Sequence, residues 1–187
     1  MSSRSSHREQ GLSLIEVVVF IVVLALGVTA VTILFNQLTR SSVDPVVRKQ
    51  ALAIANSLME EIELQPFTYC VPSDPAVYTA ASPAGCATPQ GTVAPAGYTR
   101  YADPRYDNVG DYNSLPPMTG GILDITGTPV PGLNAYSASV SVQPISAAEL
   151  PGIPSTEGLR ITVTVTGPAN ANVVLQGYRL RYAPNQP

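Results

Sequence analysis

From Val17 to Phe35 the chain runs 19 residues without a charge, rich in Val, Ile and Leu. A helix rising about 1.5 Å per residue nearly crosses the hydrocarbon core of a bilayer at that length. The chain turns polar at Asn36-Gln37. Asp44-Pro45 then predicts a helix restart, with Asp44 as N-cap and Pro45 at the first helical position. Beyond it, Val47, Ala51, Ile54, Ala55, Leu58 and Ile62 fall on one helical face, while Arg48, Lys49, Gln50, Asn56, Ser57, Glu60, Glu61 and Glu63 lie largely elsewhere. Pro66 ends the pattern. The expected element is a long helix kinked around Pro45, its second half laid on a head.

Residues 68–134 carry neither helical nor strand period and are dominated by Pro, Gly, Ala, Ser and Thr, with one short strand expected at Ile122–Ile125. Then the period becomes two. Tyr136–Gln143, Leu159–Thr166 and Val173–Tyr182 read as three antiparallel strands. A longer connection, from Pro144 to Gly158, joins the first pair, and a tight turn from Gly167 to Asn172 joins the second. Val140, Val142, Ile161, Val163, Val165, Leu175 and Leu180 are the candidates to cover the apolar face of the second helix half. A helix on a small antiparallel sheet is an α+β arrangement.

One residue does not fit a plain membrane anchor. Glu16 lies inside the apolar block Gly11–Phe35, where an unpaired carboxylate costs several kcal/mol. The polar stretch before it, MSSRSSHREQG, has no apolar core of its own and no small-x-small cleavage pattern, which argues against an ordinary secretory signal. Arg4 and Arg8 favour a cytoplasmic N-terminus.

The block GLSLIE, Gly11–Glu16, resembles the prepilin signature of type IV pilins and of the pseudopilins of type II secretion. The resemblance implies a pilin-like fold, cleavage by prepilin peptidase between Gly11 and Leu12, and methylation of the new amine at Leu12. It also implies assembly through Glu16, whose carboxylate would meet the terminal amine of a neighbouring subunit. Leu12 departs from the usual Phe at the first mature position. The implied parts are a leader over residues 1–11, a transmembrane and filament-core helix over 12–35, its amphipathic continuation over 36–67 and a β-rich head over 68–187. The implied partners are other pilins or pseudopilins, prepilin peptidase, an inner-membrane assembly platform and membrane lipid. The implied location is the bacterial inner membrane, single pass with the head in the periplasm, and then a pilus or periplasmic pseudopilus.

Two further stretches, QALAIANSLMEEIELQPF (50–67) and YDNVGDYN (106–113), resemble minor pilins of the mannose-sensitive haemagglutinin (MSHA) type, the MshD-like group. The second stretch belongs to Tyr98–Asn113, which clusters four tyrosines with Asp103, Asp107, Asn108, Asp111 and Asn113. Six to eight oxygens would be needed to hold Ca²⁺, and Asp103, Asp107 and Asp111 are weak candidates. The spacing is not that of an EF-hand, and Asp, Asn and Gly also build ordinary turns with tyrosine packing, the favoured reading. Cys70 and Cys86, in a head outside the cytoplasm, are expected to form one disulfide. The acidic run Glu60, Glu61, Glu63 reads as a solvated face or as a subunit contact.

Composition excludes several function classes. Removing Arg4, Arg8 and Glu9 moves the formal net charge from −3 to about −4, and Lys49 is the sole lysine. Clustered cations for nucleic acid are therefore missing. The sole histidine, His7, lies in the leader. Ser/His/Asp and Cys/His catalysis and His-based zinc sites have no candidates, and no Gly-rich loop leads from strand to helix. No enzyme activity and no cofactor are expected. Three readings follow: a minor pilin, a minor pseudopilin of type II secretion, or a membrane-tethered binding or adhesive module.

Overall fold

In the computed structural model, residues 13–187 are described, without the side chains of 36–44. It divides into two units, Met1–Val43 and Asp44–Pro187. Helix α1 spans Leu14–Glu63 with Pro45 inside it, so the restart expected at Asp44-Pro45 is not a separate element. Proline removes one N–H from the hydrogen-bond ladder, a defect that a long helix tolerates without ending. The capping role expected of the Asp44 side chain lies outside the described residues.

In the second unit, the α1 residues Val47, Ala51, Ile54, Ala55, Leu58 and Ile62 are all buried, joined by Met59. They share one core with a three-stranded antiparallel sheet in the order β1 (Ser137–Pro144), β2 (Gly158–Thr166), β3 (Asn172–Leu180). The register stacks inward residues in rows: Ala138–Val165–Val173, Val140–Val163–Leu175 and Val142–Ile161–Gly177. Side chains alternate along a strand, so Leu175 and Leu180 cannot share a face. Leu180 is exposed, contrary to expectation, and Arg179 takes the inward position beside Leu159. The row ending at Gly177 packs tightly on the helix: a Cβ there would stand 2.6 Å from Glu63 Oε1 and 3.0 Å from Met59 Sδ. Each fully buried aliphatic side chain stabilises this α+β, pilin-like arrangement by about 1.5–3 kcal/mol.

The outer edge of β1 is closed by the irregular segment. Met118 exchanges both backbone hydrogen bonds with Ala138, and Asn113 Oδ1 accepts from the Val142 N–H. The strand expected at Ile122–Ile125 is not formed. Leu123 makes only an isolated bridge to Pro129, because Asp124 Oδ1 accepts from the N–H groups of Thr126 and Thr128 and folds the segment into a turn. The segment 68–134 is not wholly irregular either, since short 3-10 turns form at Pro83–Gly85 and Val109–Ser114. Between β1 and β2 the chain makes a 3-10 turn at Ser155–Glu157.

Candidate functional site

Two places carry the chemistry singled out in the sequence: the N-terminal part of α1 and the loop around Asp111. In the first, Leu14–Phe35 is long and apolar enough to cross a membrane, with a mean hydropathy of 3.0 and none of it buried. Its polar side chains are largely dealt with locally. Thr29 and Thr32 donate back to the Ala25 and Val28 carbonyls at 2.7 and 2.8 Å, which leaves no free hydroxyl donor facing outward. Glu16 is the exception. It sits in the first turn of α1, where a carboxylate suits the helix dipole, and it is exposed among Leu14, Ile15, Val17 and Phe20. Gly11 and Leu12 lie outside the described residues.

The second place is built on Asp111. It is fully buried: Oδ2 accepts from the N–H groups of Asp107 and Asn108 at 3.1 Å each, and Oδ1 accepts from Gln90 Nε2 at 2.9 Å. With Asn108 it forms a capping box for the 3-10 turn Val109–Ser114. Asn108 Nδ2 in turn donates to Thr68 Oγ1, tying the loop to the chain that leaves α1. Asp107 is half-buried, and its Oδ1 has no hydrogen-bond partner. Burial, with the nearby Asp111 carboxylate, raises its carboxyl to a pKa of about 6. Asp103 is exposed. Three protein donors already occupy the Asp111 carboxylate, two on Oδ2 and one on Oδ1. Among the described residues, no group of three or more His, Cys, Asp or Glu side chains could hold a metal ion.

The tyrosines pack instead. Tyr106 and Tyr112 meet edge to face with centroids 5.2 Å apart. Burial, and then Glu61, push the Tyr112 hydroxyl well above its ordinary pKa, so it remains a donor, and it donates to Glu61 Oε1 at 2.9 Å. Glu61 also accepts from Arg100 Nε at 2.7 Å and Nη2 at 2.6 Å, while Arg100 Nη1 donates to the Leu123 and Asp124 carbonyls at 3.0 Å. Arg100 is 5% exposed. Glu61 is therefore not part of a solvated acidic face, whereas Glu60 and Glu63 are exposed. The helix spacing carried a signal for this, because Glu61 lies three residues from Leu58 and seven from Ile54, at the border of the apolar stripe.

Cys70 and Cys86 are joined by a disulfide, with Cα atoms 5.4 Å apart. The bridge anchors a small second core of Cys70, Val77 and Ala80. Within its loop, the N–H groups of Thr88 and Ala76 hold the Asp74 carboxyl below the usual carboxylate range.

Residues 6–32 match the family model of the prokaryotic N-terminal methylation motif. No curated protein and no solved structure matches the chain. The motif match runs from the polar N-terminal stretch into the first part of the apolar span. It supports a type IV pilin-like prepilin, the kind of chain that prepilin peptidase processes.

Proposed function

We propose that this chain is a structural minor pilin, cleaved between Gly11 and Leu12, methylated at Leu12 and built into a type IV pilus through its N-terminal helix. One observation carries the reading: the methylation motif over residues 6–32 lies directly on an exposed apolar helix that keeps a carboxylate, Glu16, in its first turn. The amine freed at Leu12 and the Glu16 carboxylate are of opposite sign. Pairing Glu16 with the amine of a neighbouring subunit removes the burial cost of both charges when the helix leaves lipid for a bundle of like helices. A minor pseudopilin would use the same physics in a shorter filament. A deletion strain separates the two: loss of surface pili with protein secretion intact is expected here.

The direct test is the mass of the N-terminal peptide, from membranes with and without active prepilin peptidase. A peptide starting at Leu12 and heavier by one methyl group is expected only where the peptidase is active. The same unprocessed N-terminus in both strains would leave a tethered domain and remove the assembly reading.

A further inference from the structure

Away from the helix and the Asp111 loop, the head holds a cleft of about 240 Å³ whose buried floor includes Phe67, Gln90, Leu159 and Arg181, with Ser155 and Thr156 exposed at its rim. Two floor residues have polar atoms without partners. The Arg181 side chain is 4% exposed, and its guanidinium stacks 3.8 Å from the Phe67 ring centroid and 4.5 Å from that of Tyr69. Nη2 reaches the Thr156 carbonyl at 3.3 Å, whereas Nε and Nη1 have no acceptor. Gln90 is 8% exposed, and its Oε1 has no donor. The orientation of that amide is fixed by chemistry, since Asp111 can only accept and therefore takes the Nε2 side. A buried donor or acceptor left unpaired is costly, and here unpaired atoms of opposite kind belong to two residues that line one cleft.

The chemistry of the cleft narrows the ligand. Glu157 Oε2 stands 3.8 Å from Arg181 Nε, which already balances the cation and disfavours a second carboxylate. The Phe67 ring is buried with the guanidinium over its face, so it offers no open platform for a sugar ring. A neutral group fits that brings an acceptor for Arg181, a donor for Gln90 and apolar atoms for Leu159. The geometry points to a peptide-recognition cleft, in which a neutral peptide group of a partner chain sets its carbonyl on Arg181 and its N–H on Gln90 Oε1. The unpaired nitrogens and Gln90 Oε1 are all covered in the free protein, so entry requires the cleft floor to open. This inference rests on the head alone and is independent of processing at Gly11.

The test is a titration of the full-length chain in zwitterionic micelles, followed by the NMR signals of Arg181 Nε–H and the Gln90 side-chain amide. The probes are N-acetyl-leucine methylamide, N-acetyl-glycine methylamide, acetate and methyl glucoside. Saturable shifts of both signals with the two blocked amides are expected, stronger for leucine because of the apolar floor. Arg181→Lys, which keeps the charge and loses the fork, should weaken the leucine probe about tenfold, the worth of one hydrogen bond to a charged group. No saturable shift with either amide, or saturation by acetate or glucoside alone, would overturn the proposal, and this wild-type result stands even if the variant fails to fold.

Discussion

Asp107 is the residue whose environment opposes its ordinary charge state. Burial, and then the Asp111 carboxylate, raise its folded pKa to about 6, above the unfolded value near 3.8. Between those values the folded state holds the proton more often than the unfolded chain, so stability falls as pH rises through about 4 to 6 and the loss is complete above about 6. Asp107→Asn should therefore raise the melting temperature at pH 7.5 and leave it nearly unchanged at pH 4. Partial exposure limits the gain to on the order of 1 kcal/mol. Equal shifts at both pH values would mean that ionisation of Asp107 is not the cause. Glu61 is a carboxylate paired with Arg100 and the Tyr112 hydroxyl. Removing one partner strands the other: Glu61→Ala and Arg100→Ala should each destabilise by about 3 kcal/mol, and the double variant by clearly less than the sum. Urea unfolding of the four proteins measures this coupling.

At the scale of elements, the 3-10 turn Val109–Ser114 shows how tightly the irregular segment is built. A Cβ on Gly110 would stand 2.1 Å from the Gly91 carbonyl oxygen, a backbone atom that cannot swing aside. Gly110→Ala is expected to cost about 1–3 kcal/mol, read as a lowered urea midpoint. An unchanged midpoint would show that residues 90–92 yield freely. Opening the Cys70–Cys86 bridge should cost about 3 kcal/mol by chain entropy. These elements mark where sequence reading stops. The apolar face Val47–Ile62 and the three strands were legible because their periods, 3.6 and 2, repeat along the chain. The inward place of Arg179 was legible only by carrying strand parity from Leu175 through Gly177. The closing of the β1 edge by Met118 and Asn113, and the docking of Arg100 on Glu61, join residues far apart in sequence and leave no local period. Glu16 was legible because a carboxylate inside an apolar run stands out, being costly to bury unless it is paired or reaches the membrane interface.

At the scale of the whole molecule, the chain joins a segment in which no residue is buried to a head with its own core. Leu14–Phe35 exposes its apolar side chains throughout, so this span is stable only in lipid or among other helices. Glu16 distinguishes those two surroundings. In lipid an anchor needs only length, and a carboxylate at its end reaches the interface at little cost. In a helix bundle the same carboxylate must be paired, and removing it strands the partner amine. Under the proposed function, Glu16→Ala and Glu16→Gln should both reach the membrane at wild-type levels yet be missing from sheared filaments. The Gln variant is the sharper of the two, because it keeps size and hydrogen-bonding capacity and removes only the charge. Normal incorporation of Glu16→Gln alongside loss of Glu16→Ala would assign the residue to packing, while normal incorporation of both would reduce the helix to a tether.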